Sequence, residues 1–161
     1  MARFLVFLAM LMVATPALAQ ESLLARALSC RIDDGAVAKL MEALAAEDAG
    51  MTKPVQSLAA PSGNLYRLAA PVSAFGYASS EIYVSPGRIV LAVAGQDLAT
   101  VSAKLKLTPE AYGPAERRID DGHTIIAYQL HQSPLAGKVL VGCAYDAPGA
   151  LSWLGQDGLG F

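Results

Sequence analysis

Apolar residues recur along this chain with two different periods. After Asp33-Asp34-Gly35, the positions Val37, Leu40, Met41, Leu44 and Ala45 are apolar at i, i+3, i+4, i+7 and i+8, while Lys39, Glu42, Glu47 and Asp48 fall elsewhere around the cylinder. That spacing predicts an amphipathic helix. Asp33 or Asp34 supplies the N-cap oxygen, and Gly50 stands where a left-handed C-terminal cap is wanted. A second helix is expected from Asp97 to about Lys106, capped by Asp97 with Leu98, Val101 and Leu105 inward, and ended by Thr108 and Pro109.

Elsewhere the content is β-branched or alternating. Asn64 to Ala70, Glu81 to Ser85, Arg88 to Ala94, Ala115 to Ile119, His123 to His131 and Lys138 to Tyr145 read as strands. Ser85-Pro86-Gly87-Arg88 places Pro and Gly where a tight turn needs them and joins two of these runs into a hairpin, with Ile89, Leu91 and Val93 sharing one face. In the last run, Val139, Val141, Cys143 and Tyr145 share a side. The order of elements predicts an α+β domain of two layers, with two main helices packed on one face of a mostly antiparallel sheet.

The pentapeptide RIDDG occurs twice, at Arg31 to Gly35 and at Arg118 to Gly122. The first copy runs into the 3.6-residue period of a helix and the second into the strand-like HTIIAYQLH, so the copies do not mark an internal repeat. The first is expected to start a helix. In the second, Asp121-Gly122 is the dipeptide favoured by a two-residue hairpin turn.

The N-terminus changes the picture. Arg3 precedes an unbroken apolar run from Phe4 to Val13, and Ala17-Leu18-Ala19 has the small-x-small form of a cleavage site. Residues 1–19 are read as a secretory signal peptide cut before Gln20, residues 20–147 as one α+β domain, and residues 148–161 as a Gly-rich tail in which Trp153 docks. No later apolar run reaches the ~20 residues of a membrane span, so the mature form is expected to be exported, periplasmic or secreted, without one. Loss of Arg3 takes the formal charge from −2 to −3, which offers no pull toward nucleic acid.

Two cysteines, Cys30 and Cys143, meet an oxidising compartment in an exported chain, and only one pairing exists. A disulfide between them closes a long loop, worth about 4 to 5 kcal/mol in the chain-entropy model, and ties the front of the domain to its last strand.

Chemistry is harder to find. His123 and His131 on one strand would stand about 26 Å apart at ~3.3 Å per residue, too far to share a metal. GxSxG, Ser-x-x-Lys, GxxxxGK[ST], GxGxxG and calcium-loop patterns do not occur. The adjacent aspartates of RIDDG read as caps and turns, and Glu81 as a solvated strand residue. No catalytic residue, metal or cofactor is expected.

The stretch Ala70 to Ser80 (APVSAFGYASS) reads as an apolar and aromatic loop, and with Tyr83 just beyond it makes Pro71, Phe75, Tyr77 and Tyr83 the candidate binding residues. The competing reading places Phe75 and Tyr77 on an edge strand, packed into the core. The expected function is a non-enzymatic binding module, inhibitor-like or immunity-like, acting on an envelope protein or cell-wall component. The alternatives are a small envelope hydrolase with a dispersed site using His123 or His131 as base, and a binder of small apolar ligands between helices and sheet.

Overall fold

A computed structural model describes residues 21–46 and 54–146. The expected signal peptide, the Gly50 cap and the tail with Trp153 lie outside the described residues. Three helices, α1 (Leu23–Leu28), α2 (Asp34–Ala45) and α3 (Leu98–Leu105), accompany seven strands: β1 (Gln56–Ala60), β2 (Gly63–Ala74), β3 (Tyr77–Ser85), β4 (Arg88–Ala94), β5 (Ala115–Arg118), β6 (His123–Gln129) and β7 (Lys138–Tyr145). The strands form one sheet in the order β1-β2-β3-β4-β7-β6-β5, every neighbouring pair antiparallel. The α+β class is therefore observed, with three helices rather than two. Among the described residues no helix is long and apolar enough to cross a membrane.

The sheet is two meanders joined at one seam. Strands β1 to β4 follow one another through turns, and so do β5 to β7. The β4–β7 ladder, from Arg88↔Ala144 to Ala94↔Lys138, closes the sheet between them. The turns follow from local chemistry. Pro61-Ser62 and Pro86-Gly87 each put proline first and a positive φ second, at Ser62 (57°) and Gly87 (68°). Between α3 and β5 the chain runs over the surface, and Tyr112 is fully exposed there.

The helices are set by their caps and apolar faces. Asp33 accepts the Ala36 amide at the start of α2, and Asp97 accepts the Thr100 amide at the start of α3. Val37, Leu40, Met41 and Leu44 of α2 are buried in one cluster with Leu24 and Leu28 of α1, Val101 of α3, and the alternating sheet residues Ile82, Val84, Ile89, Leu91, Val139 and Val141. Each such side chain contributes roughly 1.5–3 kcal/mol on leaving water. Cys30 lies between α1 and α2 and bonds Cys143 of β7, with Cα atoms 5.3 Å apart, stapling the helical segment to the sheet as expected.

The opposite strand positions carry a second, smaller cluster: Leu65, Tyr83, Val90, Ala92, Ile126, Tyr128 and Leu140, covered by Leu135 from the β6–β7 connection. Two glycines permit close approach here. A Cβ on Gly63 would lie 2.9 Å from the Tyr83 ring and 2.2 Å from the Val84 carbonyl oxygen, and one on Gly142 would lie 2.3 Å from the Ile89 carbonyl oxygen. Glu81 shares this side. It is not solvated but held between Arg67 (2.9 Å) and Lys138, and although burial pushes its carboxyl up, those two cations more than offset this and hold it below the usual range.

Three local expectations change. The tight positive-φ turn is not at Asp121-Gly122, because β5 and β6 are joined by the four residues 119–122 and neither of that pair has positive φ. Residues Ala70 to Ser80 are not a loop but the end of β2, a two-residue turn, and the start of β3: Ala74 pairs with Tyr77, and Phe75 (φ 55°) and Gly76 (φ 75°) both take the left-handed conformation that such a turn requires. His131 lies past the end of β6, exposed.

Candidate functional site

The four aromatic and proline candidates do not form one surface. Pro71 is exposed in a bulge where residues 68–71 of β2 stand against Ser80 alone, so its missing N–H breaks no ladder bond. Phe75 and Tyr77 are half-buried at the hairpin tip and pack on the helix-side cluster. Lys104 of α3 reaches over the tip, its ammonium 4.0 Å from the Tyr77 ring centroid and within 3.5 Å of the Gly76 carbonyl oxygen. Those aromatic faces are already covered by the chain itself.

Tyr83 points the other way. Alternation along β3 puts Ile82 and Val84 with the helices and Tyr83 on the opposite side, where its hydroxyl donates to the Pro61 carbonyl oxygen of the β1–β2 turn. It lines an open cavity of about 370 Å³ with Ser85, Arg88, Tyr128, Leu130 and Gln132. β4 supplies Arg88, whose guanidinium carbon stands 5.6 Å from the Tyr128 ring centroid. Tyr128 comes from β6 and is 9% exposed, yet its hydroxyl has no hydrogen-bond partner among the described residues. Burial, then the nearby Tyr83, pushes Tyr128 up to about 12, while Arg88 and Ser85 pull the other way without closing a hydrogen bond on it. Tyr83 is also raised, by burial. No carboxylate lines this cavity.

A larger groove, of about 560 Å³, runs between α3 and the chain leading into β5, walled by Leu98, Ala99, Ala103, Leu107, Pro109 and Ala115. Of its polar members, Asp97 is committed to capping α3. That capping by the Thr100 amide and hydroxyl holds its carboxyl below the usual range.

The structure also brings together what the sequence separates. The two RIDDG copies meet at His123. Its Nδ1 lies 2.8 Å from Asp120 Oδ1 of the second copy, and its Nε2 lies 3.7 Å from Asp34 Oδ1 of the first. The Tyr145 ring meets the imidazole edge-on at 5.1 Å, and its hydroxyl donates to the Ala27 carbonyl oxygen at 2.7 Å. Burial, then the Asp34 charge, raises Tyr145. The Gly122 amide, then the His123 ring, hold the Asp120 carboxyl below the usual range.

Asp120 takes the Nδ1 side of His123, and Nε2 faces the Asp34 carboxylate oxygen, both of these facing atoms shielded from solvent and without a hydrogen-bond partner among the described residues. No hydroxyl or thiol hydrogen-bonds to that nitrogen among the described residues, so the arrangement is poorly set for a general base, which must reach the proton it removes. Nor do three potential ligands converge on a metal position among those residues.

Plain alternation along β3 would put Tyr77 and Tyr83 on one face; the register shift between Arg67 and Val72 is what sends them to opposite sides, and it has no local signal in the sequence. Arg88 and Tyr128 were reachable only through the register of β3, β4, β7 and β6. No family model, no curated protein and no solved structure matches this chain.

Proposed function

We propose that the protein is an exported, non-enzymatic binding module whose site is the cavity of Tyr83, Ser85, Arg88 and Tyr128. One observation carries this reading: Tyr128 lines an open cavity, and its buried hydroxyl has no hydrogen-bond partner among the described residues. Buried polar groups are nearly always paired, and a convergent set of polar groups in a concave site is the usual mark of a ligand position. The Cys30–Cys143 bond fits a chain that matures in an oxidising compartment such as a periplasm. The partner would then be an envelope protein, offering a chain end or protruding side chain, or a soluble cell-wall fragment.

The test is retention. Immobilised protein is exposed to envelope extract and to soluble wall fragments, beside a Gln132→Trp variant that fills the cavity mouth from an exposed position. The reading expects a species retained by the wild type and lost by the variant. Equal retention by both, or by neither at micromolar protein, removes it.

A further inference from the structure

We infer that the cavity takes an anionic group, a carboxylate or a phosphate, forked by the Arg88 guanidinium and hydrogen-bonded by the Tyr128 hydroxyl. This rests on the binding site proposed above and adds the class of its ligand.

Arg88 is the first reason. Arg31, Arg67 and Arg118 are paired with Glu21, Glu81 and Asp121, while Arg26 and Arg117 donate to the carbonyl oxygens of Arg31 and Leu105. Arg88 has no carboxylate partner among the described residues and stands over the face of Tyr128. Its guanidinium carries five N–H groups in a fixed fork, and no carboxylate among the described residues takes them. A planar carboxylate or a phosphate fits that fork bidentately.

Donor count is the second. Tyr83 has given its proton to Pro61, but Tyr128 has a proton and no acceptor, and an arginine has only donors. Gln132 adds an amide at the rim. With no Asp or Glu lining the cavity, its formal charge is positive and unopposed, although the whole chain is acidic at −2. A neutral ligand would leave the guanidinium edge facing water, and a cation would be repelled. An anion gives Arg88 a counter-charge and Tyr128 an acceptor in one step, and a partly buried site strengthens both bonds relative to water.

Acetate, inorganic phosphate and neutral acetamide are titrated separately into ¹⁵N-labelled oxidised protein, following backbone amides and the Arg88 side-chain N–H. Acetate or phosphate is expected to shift signals of Ser85, Arg88, Tyr128 and Gln132 with an affinity on the order of 1 to 10 mM, as suits so few atoms. Arg88→Gln should weaken this about ten-fold or more, Arg88→Lys less, and Tyr128→Phe about three-fold or more, in variants whose spectra otherwise overlay the parent. A stronger response to acetate points to a carboxylate-bearing partner, and a stronger one to phosphate to a phosphorylated one. Acetamide matching acetate, or Arg88→Gln binding acetate as well as the parent, overturns the ligand class and leaves the cavity as a site for neutral groups. Silence with all three probes, together with partner retention unaffected by Gln132→Trp, removes the cavity as a site altogether.

Discussion

Three buried side-chain atoms lack a hydrogen-bond partner among the described residues, and they fall in two regions that differ in what faces them. On the helix side, Asp34 Oδ1 and His123 Nε2 face each other at 3.7 Å. On the other side is the Tyr128 hydroxyl, whose residue lines an open cavity. An unpaired polar atom points to a ligand only where there is room for one. In the first pair a carboxylate and an imidazole answer each other, whereas the residue carrying the third atom lines a cavity of about 370 Å³.

The widest separation between the two regions should come from the staple. Replacing Cys30 and Cys143 together by Ala should lower stability by about 4 to 5 kcal/mol, because the bond closes a loop with a sequence separation of 113. Denaturant unfolding measures this. If the regions are independent, anion-induced shifts at Arg88 survive in whatever fraction stays folded; their loss would show that the cavity depends on the helix junction.

Leu135→Ala strikes the other region. It removes the fully buried cover of the smaller cluster and should cost about 2 to 4 kcal/mol by the same measurement. Its amide perturbations should centre on Tyr83, Ile126 and Leu140 and spare α2.

Tyr128→Phe is the sharper test, because it predicts a change of sign. Removing a hydroxyl that has no partner should leave stability at neutral pH unchanged or raise it by up to about 1 kcal/mol, whereas removing a satisfied one would cost about 0.5–1.5 kcal/mol. Proton linkage gives a second readout. Burial raises Tyr128 from 10.0 to about 12, so the unfolded chain gives up this proton first. Stability must therefore fall as the pH climbs from about 10 to 12, and the Phe variant should fall less steeply.

The smallest effect belongs to Asp34→Asn. An amide at this position can donate to His123 Nε2 or accept from it, while the lost negative charge in the first turn of α2 gives part of that gain back. The net change should stay within about 1 kcal/mol, and the Nε2 nitrogen chemical shift should report the new partner.

Much of the fold was legible from periodicity and punctuation. Alternation assigned Val139, Val141, Cys143 and Tyr145 to one side, and Asp33 and Asp97 announced their helices. What escaped did so for physical reasons. The helix α1 has six residues, of which Leu24, Ala25, Ala27 and Leu28 are buried, too short and too apolar for a periodic signal. The hairpin tip uses Phe75 where an Asn or Asp would have announced a left-handed residue, and its packing on the core offsets the poor propensity. Of the site, only Tyr83 came from local sequence; Arg88 and Tyr128 reach it from separate strands across the β4–β7 seam. The RIDDG copies were rightly separated as a cap and a turn, but their meeting at His123 depends on the same long-range register.

That seam also sets how the molecule would come apart. The surface stretch carrying Tyr112 lies between the two meanders, and the cysteines fall one on each side of it. A single protease cut there would leave two chains that share a central ladder and one covalent bond. On a gel without reductant the nicked protein would migrate as one species, and with reductant it would separate into two.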